Sequence, residues 1–162
     1  MFENVHHVGV IYKDISNIVE KIKDIYRMTE VNVETYFVEV NTFIKEITKP
    51  LKIKVGYAWF GDSKTMIELF QPLDDNSIYS EYLAKNPEGG IHHVGILVKD
   101  IEEETNKWDS KGIKRMVTGI TLTNRYVYYD TREMFGYVTE LLDDVPQPKM
   151  LEEIMKKLKK KE

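Results

Sequence analysis

The chain of 162 residues contains no cysteine, and this absence removes several classes of protein. Disulfide-stabilised folds, thiolate nucleophiles and metal sites held by cysteine are all excluded. No segment reaches the roughly 18 to 20 consecutive apolar residues that a membrane-spanning helix requires. Neither sign of charge is in large excess, because 23 basic and 27 acidic residues give a formal net charge of −4. We therefore expect no membrane span and no nucleic-acid-binding surface, which would need clustered basic residues.

The chain also shows none of the marks of a secretory signal at its start, since residues 1–4 are neither basic nor strongly apolar. A cytoplasmic location is therefore the expectation. Hydrophobic residues make up 42% of the sequence, which is enough for the core of one domain or of two very small ones.

Histidine is scarce, and its four residues all lie in one repeated segment. Residues 5–10 read VHHVGV and residues 91–96 read IHHVGI, and both copies continue through a short stretch to Lys-Asp-Ile. A chance composition would not place every imidazole at the same position of a repeat. The repeat therefore predicts two related halves, each with a strand that carries histidine.

The periodicity of apolar residues predicts the same order of elements in both halves. In the first half, helical spacing follows Asp14 to about Met28, and in the second half it follows Asp100 to Lys111, where Gly112 ends the helix. Alternating or β-branched stretches predict strands at 5–12, 31–40, 53–60, 65–70, 91–98, 113–120, 124–130 and 136–142. The predicted fold class is α+β, with two tandem β-α-β-β-β modules at 1–74 and 90–145 in one domain, 1–145, and a linker at 75–89 that includes a short helix.

Residues 146–162 predict a separate amphipathic helix at the carboxyl terminus. Apolar residues recur there at helical spacing beside a lysine-rich face. Such a helix either lies on a membrane surface or a partner, or packs on the body of the protein or across a dimer interface, and the second interpretation is favoured.

The last strand of each module carries a single glutamate among apolar residues. Glu68 lies in the sequence MIELF and Glu140 in VTELL. A charged carboxylate on a buried face is unfavourable unless it is paired or binds a cation. Together with one histidine from each first strand, these residues provide nitrogen and oxygen donors for one divalent metal ion, namely Zn, Ni, Co, Mn or Fe. The alternative is a hydrogen-bonded core histidine and an edge-exposed glutamate in each half.

The choice between the paired histidines depends on the glycine that follows. His7 and Gly9 share one face of a regular strand, as do His93 and Gly95, and a glycine leaves that face open beside a ligand. The predicted metal ligands are therefore His7, Glu68, His93 and Glu140. His6 and His92 are then expected to face the other side as packing or surface groups.

These motifs resemble those of the vicinal oxygen chelate superfamily, the group of glyoxalase I, methylmalonyl-CoA epimerase, bleomycin-resistance proteins and extradiol dioxygenases. The resemblance covers about residues 1–144. It implies curved sheets that form a cleft around one divalent metal, with ligands from the first and last strands of each module. Residues 67–73, 82–85 and 88–93 are most similar to methylmalonyl-CoA epimerases, whereas residues 119–125 and 130–133 depart from them.

The resemblance implies an isomerase of the methylmalonyl-CoA epimerase type that acts through a metal-stabilised enolate. Its small-molecule substrate would be either a 2-substituted acyl thioester, such as an acyl-CoA, or a related 2-oxo or 2-hydroxy carbonyl compound. Glu140 or Glu68 would act as the base, and Glu46 is the nearest equivalent of a further catalytic glutamate, although it also fits a solvent-facing loop charge. Arg125 and Tyr128 are candidates for substrate binding, Arg125 through a carboxylate or phosphate. The tyrosines also fit ordinary strand composition.

Other activities within the superfamily remain open at this point. A glyoxalase I-like lyase acting on a thiol hemithioacetal fits the His, Glu, His, Glu set at least as well. A dioxygenase fits less well, because Glu68 would be a surplus ligand. A non-enzymatic drug-binding protein is a further alternative, although such relatives typically lack the metal ligands. The resemblance also implies a homodimer.

Overall fold

The computed structural model of the chain describes residues 2–26, 32–39, 41–42, 50–59, 64–120 and 124–144. Within these ranges the chain forms nine strands and four helices. In chain order they are β1 (Phe2–Ile11), α1 (Ser16–Tyr26), β2 (Asn32–Glu39), β3 (Asn41–Thr42), β4 (Pro50–Trp59), β5 (Met66–Pro72), α2 (Ile78–Lys85), β6 (Gly90–Val98), α3 (Ile101–Ser110), β7 (Arg115–Ile120), β8 (Arg125–Tyr129), α4 (Arg132–Phe135) and β9 (Val138–Asp143).

The predicted α+β class and the order of the major elements are confirmed. The structure adds two elements that the sequence did not predict, the two-residue strand β3 and the one-turn helix α4. The predicted carboxyl-terminal helix at 146–162 and the predicted end of α1 at Met28 lie outside the described residues. Among the described residues, every helix is too short and too polar to cross a bilayer.

All nine strands form one mixed sheet in the order β2-β4-β5-β1-β6-β9-β8-β7-β3. The two strands of the repeat, β1 and β6, pair antiparallel at its centre. The last strand of each module then pairs parallel to the first strand of the same module, β5 to β1 and β9 to β6. The four strands that carry the predicted ligands are therefore adjacent.

Helices α1 and α3 cover one face of this sheet. Leu69 is buried against Val19 and Ile22 of α1, and Leu141 is buried against Ile101 of α3. Because neighbouring residues of a strand point to opposite faces, the glutamates that precede these leucines, Glu68 and Glu140, face the other side. We call that other side the inner face.

Helix α3 begins and ends at the residues expected from capping. The Asp100 carboxylate accepts a hydrogen bond from the backbone N–H of Glu103 at 2.9 Å, as an N-cap residue does. Gly112 follows α3 with a φ of +72°, the left-handed conformation that glycine adopts at low cost.

The linker contains the predicted short helix, α2, and this helix packs on the inner face. Ser77 caps it through a reciprocal pair of hydrogen bonds with Ser80. Tyr79 of α2 is buried and stacks on Phe70 of β5, with ring centroids 4.8 Å apart. The linker therefore forms part of the surroundings of the predicted metal ligands.

Candidate metal centre

The glycines of the repeat make space for histidines across the central strand pair. In the β1–β6 ladder His7 lies opposite Gly95, and Gly9 lies opposite His93. A Cβ atom at Gly9 would lie 1.9 Å from Cε1 of His93, and one at Gly95 would lie 2.3 Å from Cε1 of His7. Each glycine thus leaves room for the imidazole of the other module. From the sequence, each glycine was instead expected to leave room for the histidine two residues before it in the same strand.

The four predicted ligands bring their donor atoms together on the inner face. His7 Nε2 lies 3.1 Å from His93 Nε2, 2.7 Å from Glu140 Oε2 and 3.2 Å from Glu68 Oε2. His93 Nε2 lies 3.4 Å from the same oxygen of Glu140. Donor atoms of His7, His93 and Glu140 all lie within 4.8 Å of one another, a spacing at which one metal ion could contact all three.

The polar atoms of this cluster fit a divalent cation. Residues His7, His93 and Glu140 are at most 5% exposed. Glu140 Oε2 is buried without a hydrogen bond, although two imidazole nitrogens lie close to it. A buried carboxylate charge is costly without a compensating positive charge, and a cation held between the nitrogens and the oxygen would supply it. A set of nitrogen and oxygen donors without sulfur suits Zn, Ni, Co, Mn or Fe.

The electrostatics of the cluster favour one positive charge among the two carboxylates. Burial lowers the pKa of His7, but the nearby Glu68 and Glu140 carboxylates outweigh it and raise that pKa to about 9. Burial and the Glu140 charge, opposed by His7, raise the pKa of Glu68 to about 7. In the metal-free protein a proton on His7 therefore takes the place of a cation, and Glu68 exchanges protons near neutral pH.

His6 and His92 depart from the expectation for regular strands. The ladder steps from Val5 opposite Ile96 to His7 opposite Gly95, so His6 is an extra residue on β1. The same kind of irregularity leaves His92 extra on β6. Such bulges redirect side chains.

As a result, the two extra histidines turn toward the predicted ligands. Nδ1 of His6 lies 2.9 Å from Nδ1 of His7, and Nδ1 of His92 lies 2.9 Å from Nδ1 of His93. The expectation that both would face away from the ligands is therefore wrong, although His92 does pack in the core, where it is 4% exposed.

Aromatic side chains surround the cluster on the inner face. The Tyr128 hydroxyl lies 3.4 Å from His93 Nε2 and 3.1 Å from the Tyr79 hydroxyl. The Phe70 ring centroid is 5.3 Å from that of His93. In the ladders, Tyr57 lies opposite Glu68 just as Tyr128 lies opposite Glu140.

Of these aromatic residues, sequence reasoning named Tyr128 and missed the other three. Phe70 could have been identified because it lies two residues after Glu68 and therefore on the same face of the strand. Tyr57 could have been identified from its position in the penultimate strand of its module. For Tyr79 there was no such signal, since the linker pattern does not say where the helix packs.

The structure does not bring Arg125 to the cluster. Because β8 is regular, Arg125 lies on the opposite face from Tyr126 and Tyr128. Its guanidinium donates hydrogen bonds to Asp143 and, at 2.9 Å, to Glu102 of α3. The expected contact with substrate is therefore not supported by its position, and the remaining candidate, Glu46, lies outside the described residues.

Comparisons with known proteins agree with this architecture. The sequence model of the Glyoxalase/Bleomycin resistance protein/Dioxygenase superfamily matches residues 6–129. The mitochondrial methylmalonyl-CoA epimerase of Dictyostelium discoideum is 38% identical over 64 residues, which span 38% of this chain and 39% of the relative. The ethylmalonyl-CoA/methylmalonyl-CoA epimerase of Cereibacter sphaeroides is 38% identical over 55 residues, which span 34% of this chain and 41% of the relative. The matches thus span about two fifths of these curated relatives.

Solved structures extend the likeness to most of the chain. A Streptomyces coelicolor methylmalonyl-CoA epimerase variant in complex with 2-nitronate-propionyl-CoA superposes with a TM-score of 0.65 and 20% identity, covering 90% of this chain and 96% of that chain. The methylmalonyl-CoA epimerase from Mycobacterium tuberculosis gives a TM-score of 0.62 at 21% identity, covering 91% and 90%. At this identity the superpositions establish the shared fold.

Proposed function

The chain belongs to the Glyoxalase/Bleomycin resistance protein/Dioxygenase superfamily, and from that membership we propose that it is a metal-dependent epimerase of the methylmalonyl-CoA epimerase type. The observation that carries the proposal is the convergence of His7, His93 and Glu140 around one point, with a second carboxylate, Glu68, beside it. The two curated relatives support the choice of reaction within the superfamily, because both are methylmalonyl-CoA epimerases.

The proposed metal ligands are the four residues that the repeat singled out. His7 and His93 would bind through Nε2, and Glu140 and Glu68 through a carboxylate oxygen. A divalent cation held there would supply Lewis-acid stabilisation of the negative charge that develops on a substrate carbonyl oxygen. Because His7, His93 and Glu140 are buried, few water molecules would compete for their donor atoms.

Glu68 is the proposed base. The pKa of Glu68 is about 7 in the metal-free cluster, and a cation held beside it would lower that pKa, so the carboxylate would be ionised and able to accept a proton near neutral pH. The C–H bond beside the thioester breaks, the proton moves to Glu68, and the electron pair moves toward the thioester oxygen. Glu140 lies on β9, which is separated from β5 by β1 and β6, and return of a proton to the planar carbon from that side, opposite Glu68, would invert its configuration. Glu46 remains a predicted participant.

The aromatic residues around the cluster would shape the acyl pocket. Tyr128, whose hydroxyl lies 3.4 Å from His93 Nε2, would contact the substrate, and its 3.1 Å contact with the Tyr79 hydroxyl would hold it in position. We propose an acyl-CoA as the substrate class. A homodimer and a cytoplasmic location remain predictions.

Exchange of the substrate proton with solvent tests the proposal. We would load the protein with Co(II) or Ni(II) in heavy water and follow deuterium incorporation at C2 of methylmalonyl-CoA by mass spectrometry. The wild type should catalyse exchange, and Glu68→Gln should lose it by at least about 100-fold when both proteins are compared at saturating metal concentration, since general bases contribute about 10²–10⁴-fold. Glu133→Gln, an exposed carboxylate on α4, is the matched control and should behave as wild type. Absence of exchange by metal-loaded wild type would refute the proposal.

A glyoxalase I-like lyase is the second candidate, and the presence of Glu68 as well as Glu140 favours it. Two histidines and two glutamates are the metal ligands that the resemblance to glyoxalase I implies. The same metal-loaded protein should then convert the hemithioacetal of a 2-oxoaldehyde and a thiol, and should leave the C2 proton of methylmalonyl-CoA in place. A drug-binding protein would instead keep its ligand affinity after His7→Ala, whereas an enzyme of either kind would lose metal and activity together.

A further inference from the structure

We propose that His6 and His92 are positioning residues that accept hydrogen bonds from Nδ1–H of His7 and His93 and so aim Nε2 of each ligand at the metal. The proposal rests on the metal centre proposed above and adds a second pair of functional residues to it. Its basis is a contact that occurs twice, since each Nδ1–Nδ1 distance is 2.9 Å.

The two contacts depend on the same backbone feature. His6 is the extra residue of a bulge on β1, and His92 is the extra residue of a bulge on β6. In a regular strand, side chains of adjacent residues point to opposite faces and their ring nitrogens could not meet. The bulges turn each preceding histidine toward its neighbour. The repeated His-His motif therefore contains one bulge residue and one proposed metal ligand in each module.

The chemistry of imidazole assigns the direction of these hydrogen bonds. A neutral histidine that binds a metal through Nε2 must carry its proton on Nδ1, so His7 and His93 are the donors. His6 and His92 must then accept on Nδ1 and carry their own proton on Nε2. Metal-binding histidines usually donate this hydrogen bond to a carboxylate, a carbonyl or water, and here a histidine nitrogen takes that place.

Packing holds His92 in the orientation that this role requires. Its ring makes edge-to-face contacts with Tyr79 and Tyr82 of α2, with centroids 5.7 Å and 5.2 Å away. The Tyr82 hydroxyl in turn donates to the Ile91 carbonyl at 3.0 Å. The linker helix thus fixes the histidine that orients His93. His6 is half-buried, and its ring centroid lies 5.2 Å from that of His7.

Nitrogen-15 NMR of the ring nitrogens in the wild-type protein tests the pairing directly. With Zn(II) bound, two histidines should be protonated on Nδ1 with Nε2 bound to metal, and two should be protonated on Nε2. In the metal-free protein, His93 should retain Nδ1–H and His92 should retain Nε2–H, so the His92–His93 pair can be tested without metal. A proton on Nδ1 of His6 or His92 in the Zn(II) form would overturn the proposal.

Metal affinity measured by competition with a chromophoric chelator tests the positioning role. His6→Leu and His92→Leu remove the acceptor and should weaken Zn(II) and Co(II) binding by about 10- to 100-fold. His6→Asn and His92→Asn offer an oxygen near the position of Nδ1 and should recover most of that loss. Glu3→Leu is the matched control, because Glu3 is the extra residue at a third irregularity of the same ladder and is exposed.

The possible outcomes separate this inference from the proposed function. Tight metal binding that is unchanged in both leucine variants would overturn the positioning role alone. Weakened binding that asparagine does not recover, with native circular dichroism, would show that ring packing and not the acceptor matters, and would also overturn it. Metal binding by the wild type without proton exchange would refute the proposed epimerase and leave the positioning role standing. A wild type that binds no divalent metal would refute both.

Discussion

Replacing Gly9 with alanine should displace the ligand His93, a residue of the other module, without changing the identity of any ligand. The new Cβ would lie 1.9 to 2.4 Å from three atoms of the His93 ring. An ordinary contact starts at 3.4 Å, so the ring or the strand must move by roughly 1.5 Å, the difference between 3.4 and 1.9 Å. The His93 ring has little room to move, because it is 0% exposed and packs against Phe70 and Tyr128.

The expected effect has two parts of different size. Overpacking a core of this kind costs about 1–3 kcal/mol, which would lower Tm by roughly 2–12 °C in a chain of this length. A metal site tolerates displacements of only about 0.5 Å, so affinity should fall by more than about 10-fold. Gly95→Ala should do the same through His7, since its Cβ would lie 2.3 Å from that ring.

Gly56→Ala is the matched control within the same sheet. A Cβ there meets nothing closer than 3.5 Å, so the substitution should be neutral or stabilise the protein by up to about 1 kcal/mol. The assays are urea denaturation of the metal-free protein and Co(II) titration of the folded protein.

A double-mutant cycle decides whether the clash with His93 is the cause. In the Gly9→Ala background the ring is already the source of strain, so His93→Ala should cost less stability there than in the wild type. Strictly additive losses, or a Gly9→Ala protein with unchanged Tm and affinity, would refute the crossed arrangement of glycines and histidines.

Three further predictions follow from single contacts. In the presence of a chelator, stability should fall as pH rises from 6.5 to 9, because the His7 pKa of about 9 exceeds the unfolded value of 6.5, and the stabilisation present below pH 6.5 is lost through pH 9. Urea midpoints across this range check it. A His7→Asn protein should show a smaller fall, which does not vanish because the pKa of Glu68 is also raised. Tyr128→Phe should destabilise the protein by about 1–3 kcal/mol, since the buried Tyr79 hydroxyl loses its partner at 3.1 Å, whereas Tyr137→Phe should be neutral in the same denaturation assay. Asp100→Ala should cost about 1 kcal/mol by removing the cap of α3, with Asp100→Asn nearly neutral, and an unchanged urea midpoint would contradict the capping role.

Residue patterns predicted the module order and the four donors because both depend on local periodicity. Strand alternation places Glu68 on the face opposite Leu69, and this required no knowledge of tertiary structure. The adjacency of β5, β1, β6 and β9, by contrast, depends on how the strands pair. The repeat indicated which strands were equivalent, but the residues alone did not say that these four would be neighbours.

Two kinds of prediction failed. In one, a strand departs from regular geometry, and in the other, a residue was chosen without working out which face of its strand it occupies. His6 and His92 were expected to point away from the metal ligands because side-chain alternation was assumed to continue through both strands. The bulges interrupt it, and the local sequence does not reveal where they lie. Arg125 was included for its charge, although alternation from Tyr128 would have placed it on the helix side. The periodicity of a strand predicts side-chain orientation where the β-ladder is regular, but not at its bulges.

The duplicated donors do not make the two halves chemically equal, because there is one linker helix for two modules. Tyr79 and Tyr82 of that helix pack against His92, whereas His6 stays half-buried. The Glu68 side chain is more exposed than that of Glu140, at 14% against 7%. We therefore expect a substrate to reach Glu68 more easily than Glu140. This difference in exposure supports Glu68 as the proposed proton acceptor and Glu140 as the more firmly held ligand.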